Sequence, residues 1–272
     1  MTKYTLYQLV GDAANPDGRV ISPHVWKTKL DLALLGLDVN TSGKTFPQIR
    51  GELSEITKNP AVTVPTIEVD GQYTTDSWKI AEYLEEEHGT ADKSVFGGSP
   101  AGKDFAKFIE IWSNTTFANE LRPLVGASIF DQFDAPSKEY FIKSKFGGDQ
   151  AKHSGLVEKF KDSSALEAQL SSARKQLATI ESLLSYKKEK GQPLWLIGSG
   201  ASHADFCLFG WYASSSLHPA VENGVWRHDE NPLVGEWLDL ILGSGLVDKK
   251  QLKNDEPKGD EEDEAARKRK KL

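Results

Sequence analysis

The spacing of apolar residues changes once along the chain, and this change limits the folds open to it. Up to about residue 90, short strand-like runs alternate with helical ones; beyond it the apolar residues recur only at helical spacing. The polar, glycine-rich stretch TADKSVFGGSPAG lies between the two parts, as a linker would. We therefore predict an α/β domain over residues 1–90, a linker over 91–100, an all-helical domain over 101–250 and a charged, mobile tail over 251–272.

Local signals divide the first part into strands and helices. YTLYQLV is rich in strand formers, DVNT predicts a second strand, and TIEVDGQYTT is typical of a hairpin that turns at Asp70-Gly71. SPHVWKTKLDLALLG predicts a helix with Ser22 at its N-cap and Gly36 at its end. A second helix is predicted from about Trp78 to His88, whereas FPQIRGELSEITKNP is predicted to be irregular with at most a short helix. These elements predict a mixed four-stranded sheet with helices on its faces.

Composition excludes several classes of protein. The net charge of −7 argues against a nucleic-acid binder. The single cysteine, Cys207, permits no internal disulfide and is typical of a reducing compartment, and its apolar setting favours an inert core thiol. The first residues lack the pattern of a signal peptide, and no run approaches the length of a membrane span. We expect a soluble cytoplasmic protein with no membrane, nucleic-acid or metal partner.

A proline before the hairpin and an acidic-serine pair after it indicate a ligand site. If the Val64-Pro65 bond is cis, as we predict, the backbone N–H and C=O of Val64 face outwards and can pair with an extended peptide. The N-terminus of the next helix offers free N–H groups and the Ser77 hydroxyl to a carboxylate, while Asp76 can hold an ammonium group. An α-amino acid end satisfies both, and the γ-glutamyl end of glutathione is such a group. The alternative is that Asp76 is only a helix-start charge.

These features resemble those of glutathione transferases over residues 4 to 245. The Val-Pro step, the Asp-Ser pair and the Ser202-x-x-Asp205 capping box in GSGASHADFCLFGWY occur in the order typical of that family, whose fold joins a thioredoxin-like domain to a helical one. The capping box is interpreted as a folding element. The resemblance implies glutathione as co-substrate and a detoxifying type of reaction.

Ser22 is the residue that this resemblance makes catalytic. SPHV stands where a redox protein has C-P-x-C, as in the etherase-type transferases and their fungal relatives, so Ser22 replaces the reactive cysteine. A hydroxyl donor at a helix N-terminus stabilises the thiolate of bound glutathione. Two alternatives remain open here: Ser22 is only a helix cap, or Tyr7 takes the activating role that a tyrosine has in other branches.

The resemblance also assigns the remaining site residues. Gln48 and Thr63 are expected near the glycyl and cysteinyl parts of glutathione, together with the backbone of Val64, and Lys44 is an alternative for the glycyl carboxylate. His24 is expected at the cleft rim, where it can touch the acceptor. The aromatic residues that begin the helical domain support an acceptor site for aromatic compounds, and these are Phe105, Trp112 and Phe117.

Three classes of function fit this sequence. The first is a glutathione transferase that attacks hydrophobic aromatic electrophiles, with cleavage of β-aryl ethers as one form of the reaction. The second is a ligandin-like carrier of aromatic small molecules with little turnover, and the third is a regulatory protein built on the same fold. By resemblance we expect a homodimer, although residues 137–164 have few apolar anchors and are expected to weaken the usual contact.

Overall fold

The first part of the chain folds around a mixed four-stranded sheet. The computed structural model describes residues 3–90 and 92–252. The strands are β1 (Tyr4–Leu9), β2 (Val39–Lys44), β3 (Thr66–Val69) and β4 (Gln72–Thr75), in the spatial order β2-β1-β3-β4. β1 runs parallel to β2 and antiparallel to β3, and β3 pairs antiparallel with β4. The predicted thioredoxin-like α/β fold is confirmed.

The helices of this part are α1 (Pro23–Leu35), α2 (Phe46–Gln48), a π-helical turn (Ile49–Leu53), α3 (Ser54–Thr57) and α4 (Ser77–His88). The prediction of a mostly irregular segment after β2 is wrong, because helical structure continues without a break from α2 to α3. A capping box starts it: the backbone N–H of Thr45 donates to the Gln48 side chain at 2.8 Å. β2 is also longer than the predicted DVNT strand.

The turn residues occupy the conformations that the sequence predicts. Asp70 and Gly71 have φ values of 49° and 78°, which gives the hairpin the left-handed turn that suits the twist of its strands. Gly36 ends α1 with φ of 72°, and its backbone N–H donates to carbonyls of the last turn. These predictions are confirmed.

In the second part of the chain, every element of secondary structure among the described residues is helical. Its elements are α5 (Pro100–Trp112), a π-helical turn (Ser113–Phe117), α6 (Ala118–Ser128), a 3-10 turn (Ile129–Gln132), α7 (Ala135–Phe146), α8 (Gln150–Lys159), α9 (Ser163–Glu189), α10 (His203–Ser215), a π-helical turn (Glu222–Trp226), α11 (Pro232–Gly243) and a 3-10 turn (Lys249–Leu252). Within the described ranges, no helix combines the length and the apolar character that a membrane crossing requires. The predicted helical domain is confirmed. The charged tail predicted over residues 251–272 lies outside the described residues from residue 253 onwards.

α10 is the central helix of this second part, and every one of its residues is buried. It begins with the predicted capping box, in which the Asp205 carboxylate accepts hydrogen bonds from the backbone N–H and the hydroxyl of Ser202. The same carboxylate accepts from the Leu196 backbone N–H and the Trp237 indole, both at 2.9 Å. Asp205 therefore joins the loop before α10 to α11. Cys207 is fully buried on α10 as a free thiol.

α10 also packs along α1 and so connects the two parts of the molecule. A Cβ atom on Gly210 would lie 2.2 Å from the backbone oxygen of Pro23, so only glycine permits this approach. At the other end of the contact, the Asp31 carboxylate bonds the Nδ1 atom of His203 at 2.8 Å, and both side chains are fully buried. A close backbone contact and a buried ion pair thus fix α1 on α10.

The Asp31–His203 pair predicts an unusual dependence of stability on pH. Burial alone would lower the pKa of His203, but the Asp31 carboxylate and Cys207 raise it from 6.5 to about 10. A histidine whose pKa is raised by folding contributes its full stabilisation at pH values below the pKa of the unfolded state. This contribution is lost as pH rises towards the pKa of the folded state. We expect this contribution to decline between about pH 6.5 and about pH 10.

Asp31→Asn should reverse the sign of this dependence. Without the carboxylate, burial lowers the pKa of His203, and a variant that buries neutral histidine loses stability as pH falls below about 6.5. Urea unfolding at a series of pH values between about 5 and about 9 measures how the free energy of unfolding changes with pH in each of the two proteins. Parallel curves for the two proteins would contradict a charged His203.

Candidate functional site

Ser22 lies where the chain leaves the sheet and enters α1. The backbone N–H of Ile21 donates to the carbonyl of Leu9 at the end of β1, which places Ser22 directly beyond the strand. Ser22 occupies the N-cap position in an extended conformation, but its hydroxyl makes no capping hydrogen bond. The side chain is largely buried. The predicted N-cap position is confirmed, while the hydroxyl stays uncommitted at the positive end of a helix.

The second wall of the site is the turn before β3. The Val64-Pro65 peptide bond is cis. No hydrogen bond within the described residues engages the backbone N–H or C=O of Val64, whereas the neighbouring Thr63 carbonyl accepts from the Thr66 hydroxyl at 2.7 Å. Val64 therefore presents a free donor and a free acceptor, the pair that an extended peptide uses for strand pairing.

Asp76 and Ser77 form the third wall at the start of α4. Asp76 has φ of 89°, a conformation that is rare for residues other than glycine and that recurs at functional sites. One oxygen of its carboxylate, Oδ1, accepts from the backbone N–H groups of Trp78 and Lys79 at 3.0 and 3.1 Å. The other oxygen has no partner among the described residues. Asp76 thus caps the helix and still offers an acceptor, so the two interpretations of this residue are compatible.

These three walls enclose a cavity of about 460 Å³, a size typical of small-molecule sites. It brings together the predicted residues Ser22, His24, Thr63, Val64, Asp76 and Ser77. Its remaining lining comes from Leu9, Phe46, Ile49, Arg50, Pro65, Glu110, Asn114, Tyr140, Ser144 and Lys145.

The structure places Gln48 and the three aromatic residues expected at the acceptor site, Phe105, Trp112 and Phe117, outside the cavity lining. Gln48 does not line the cavity, because its amide oxygen is held by the backbone and hydroxyl of Thr45 in the capping box. Phe117 is fully buried, stacked on Trp112 and edge-on to Trp226. Phe117 is therefore a core residue of the helical part, and its prediction as an acceptor-site residue is wrong.

The two alternatives considered for the site also lie outside the cavity lining. Lys44 pairs with Glu52 at 2.6 Å between its Nζ atom and the carboxylate. Tyr7 is half-buried on β1 against Tyr73. Burial, and to a smaller extent the neighbouring Tyr73, raises the pKa of the Tyr7 phenol. A phenol that activates a thiol needs a low pKa, so Tyr7 is poorly suited to that role.

His24, on the first turn of α1, carries no charge near neutral pH. Burial, followed by the cations of Lys27 and Arg122, lowers its pKa from 6.5 to about 3. The imidazole lies edge-on to the indole of Trp211, with ring centroids 6.1 Å apart. It offers the cavity a neutral donor or acceptor.

Sequence reasoning missed the wall that α7 contributes. Arg50 donates from Nε to the Tyr140 hydroxyl at 3.0 Å and from a terminal nitrogen to the Val62 carbonyl at 2.8 Å. The Tyr140 ring stacks on Phe46 with centroids 5.0 Å apart. Together with Lys145, this gives the cavity a basic and aromatic edge. The signal available in the sequence was the basic and aromatic content of SKEYFIKSKF, a segment with few apolar anchors.

Comparison with protein families matches both parts of the chain. Residues 21–87 match the family described as glutathione S-transferase, N-terminal domain. Residues 104–241 match the one described as glutathione S-transferase, C-terminal domain. The second match alone spans about half of the chain.

Individual relatives share only part of their sequence with this chain. The chain is 33% identical over 129 residues to a probable maleylacetoacetate isomerase of Caenorhabditis elegans, a match that spans 47% of this chain and about half of that protein, 54%. Among solved structures, a Ceriporiopsis subvermispora glutathione S-transferase in complex with glutathione is 22% identical with a TM-score of 0.70, covering 89% of this chain and 97% of that one. A Phanerochaete chrysosporium glutathione transferase is 20% identical with a TM-score of 0.67, covering 90% and 96%. At these identities the structures show the fold alone.

Proposed function

This chain belongs to the glutathione transferase family, and we propose that it binds glutathione in the cavity and joins the glutathione sulfur to an aromatic electrophile. The observation that carries the proposal is the Ser22 hydroxyl, which is free of capping bonds and lines the same cavity as Val64 and the Asp76–Ser77 pair. The similar fold of a transferase solved with glutathione supports it.

Each part of glutathione has a matching wall in this proposal. The cysteinyl backbone pairs with the free N–H and C=O of Val64 as an added strand, with Thr63 beside it. The γ-glutamyl carboxylate accepts from the backbone N–H and the hydroxyl of Ser77 at the start of α4, and its ammonium group binds the free oxygen of Asp76. The glycyl carboxylate lies towards the basic edge formed by Arg50 and Lys145, the role first expected of Gln48.

This pose brings the thiol to Ser22 and to the N-terminus of α1. A free thiol has a pKa near 8.5, and a helix N-terminus with a hydroxyl donor lowers it, so the bound sulfur loses its proton to solvent near neutral pH. The Ser22 hydroxyl then donates to the thiolate. The sulfur attacks an electrophilic carbon, a C–S bond forms, and the leaving group departs with its electron pair.

For the electrophile we propose hydrophobic aromatic compounds, with β-aryl ethers as one class. With an ether, the C–O bond breaks and the phenolate that leaves takes a proton from solvent. The resemblance of SPHVWKTKLDLALLG to the etherase-type branch supports this choice. The alternative, a carrier of aromatic compounds, uses the same cavity without turnover.

A turnover screen tests the proposal. The purified protein is incubated with β-aryl ethers and halogenated aromatics, with and without glutathione, and the products are followed by chromatography. Turnover that saturates with glutathione is expected for at least one class. Tight glutathione binding in calorimetry without turnover of either class would favour the carrier.

Asp76→Asn tests the binding of the γ-glutamyl end. Asparagine keeps the helix cap but removes the negative charge, so helix stability should change by only a few tenths of a kcal/mol. Losing a charged hydrogen bond to the ammonium group should raise the glutathione KM about tenfold with little change in kcat. Steady-state kinetics measure both constants, and Ser77→Ala is expected to act in the same direction. An unchanged KM in Asp76→Asn would mean that Asp76 only caps the helix.

We also propose a homodimer and a cytoplasmic location, as the family resemblance implies. On α5, Phe108 and Ile111 are 56% and 53% exposed and lie on one face, an apolar surface that pairing would cover. Light scattering should give about twice the chain mass of 30.1 kDa at micromolar concentration. Phe108→Glu should shift the protein to the monomer, because it would place a charge in that contact. A wild-type monomer would contradict the homodimer.

A further inference from the structure

One wall of the cavity, built by α1 and by α5 with the π-helical turn that follows it, is polar, although the acceptor expected in the cavity is hydrophobic. His24, Glu110 and Asn114 line it. We propose that Asn114 determines acceptor specificity by donating a hydrogen bond to an oxygen of the acceptor that gains negative charge as sulfur attacks. The inference rests on the proposed function and adds to it the chemical class of the acceptor.

The contacts of Asn114 fix the orientation of its amide. The side-chain oxygen accepts from the Trp211 indole N–H at 3.2 Å and from the Lys27 ammonium at 3.5 Å. Indole and ammonium groups only donate, so the oxygen must face them and the NH₂ group must face the other way. No described residue accepts from that NH₂ group. Asn114 therefore presents unused donors from a side chain that lines the cavity.

The donor is also held rigidly. The backbone carbonyl of Asn114 accepts from Arg122 at 2.8 Å, and the Arg122 guanidinium lies over the Trp211 ring, 5.5 Å from its centroid. Lys27 is fully buried beneath the same side chain. A donor fixed before the reaction stabilises developing charge without reorganising, which is the property that makes such groups effective.

Among the neighbours of Asn114 on this wall, Glu110 offers no donor and His24 offers a single N–H, whereas the amide of Asn114 offers two. The carboxylate of Glu110 is bound by Lys107 at 2.7 Å and lies 3.6 Å from Lys27, so it can only accept. His24 is neutral near pH 7 because its pKa lies at about 3. An acceptor without polar atoms would leave the amide N–H groups unpaired, and a buried unpaired donor weakens binding.

Two kinds of acceptor share the required chemistry. In an α,β-unsaturated ketone, the C–S bond forms, the π electrons of the double bond move towards the carbonyl oxygen, and solvent later protonates the carbon of the resulting enolate. In an aryl ether, the C–S bond forms and the C–O pair leaves on the phenolate oxygen. In both, an oxygen gains charge. In a benzyl halide, the departing charge lies on the halide instead.

Asn114→Asp tests the inference while preserving the packing. Aspartate is isosteric, keeps an oxygen for Trp211 and Lys27, and removes the N–H donors. We expect kcat/KM with benzylideneacetone and with a phenacyl aryl ether to fall on the order of a hundredfold. With benzyl chloride the fall should stay within about fivefold, and the glutathione KM should stay within a few-fold. Thr116→Ala, an exposed change on the same turn, is the matched control.

The result is decided by the ratio of kcat/KM with an acceptor whose oxygen gains charge, the oxygen type, to kcat/KM with benzyl chloride, the halide type. A ratio that falls at least about tenfold in Asn114→Asp, for whichever oxygen acceptor the wild type uses, supports the inference. An equal loss with both acceptor types, or no loss with the oxygen type, overturns it. Wild-type turnover of halides alone also overturns it but leaves the proposed function standing. No glutathione-dependent turnover of any acceptor would overturn both.

Discussion

Ser22→Ala should lower turnover about a hundredfold, corresponding to about 3 kcal/mol of transition-state stabilisation, while the glutathione KM changes no more than a few-fold. The reason is that the hydroxyl makes no capping bond and lines the cavity in which we propose that the thiolate forms. Removing it leaves intact the groups of Val64 and Asp76 that are proposed to bind the peptide. Initial rates at saturating glutathione measure the effect.

The pH profile provides a second measurement on the same variant. Without the donor, the bound thiol regains a pKa closer to its free value, and the lower limb of the rate profile moves to higher pH. Ser22→Thr keeps a hydroxyl and is the matched control, with activity well above that of the alanine variant. Full activity and an unshifted profile in Ser22→Ala would assign the activation to a backbone N–H of the same loop.

Asp205→Ala should cost about 4 kcal/mol of stability, a large fraction of the roughly 5 to 15 kcal/mol that is typical of a folded domain. The substitution removes the acceptor for the Leu196 and Ser202 backbone N–H groups, the Ser202 hydroxyl and the Trp237 indole, all in a buried site. Buried donors without partners carry their full desolvation cost. Urea unfolding followed by tryptophan fluorescence measures the loss.

A surface aspartate provides the control for this change. Asp239 on α11 pairs with Arg227 at 2.7 Å, but its side chain is 66% exposed. Exposed ion pairs contribute at most about 1 kcal/mol, so Asp239→Ala should change stability by that amount or less. A loss below about 1 kcal/mol for Asp205→Ala would contradict the role of the capping box in holding the helical part together.

Local chemistry explains which elements were predictable. The Asp70-Gly71 turn, the Gly36 helix end and the Ser202-x-x-Asp205 box each depend on residues adjacent in sequence, and the structure contains all three. Thr45 and Gln48 also form such a box, and this pattern was present in the sequence. Recognising it would have placed the helix after β2 correctly and would have withdrawn Gln48 from the glutathione site.

Contacts between distant segments explain what was not predictable. Arg50 donates a hydrogen bond to Tyr140 at the edge of the cavity, and neither the period nor the composition of either segment predicts this contact. Phe117 illustrates a different limit. The π-helical turn Ser113–Phe117 separates α5 from α6, and such a turn rotates the residues that follow it, so an apolar face read from helical spacing does not continue unchanged.

The contact between Gly210 and Pro23 has a consequence for building chimeric proteins from this chain. Pro23 follows Ser22 directly, so the residue at position 210 sets how closely the central helix approaches the loop that carries Ser22. A helical unit grafted from another protein will keep this loop in place only if it offers a bare backbone at the equivalent position. Recombination between members of the fold is therefore constrained by the need for glycine at this position of α10, which an alignment of the Ser22 loop alone would not identify.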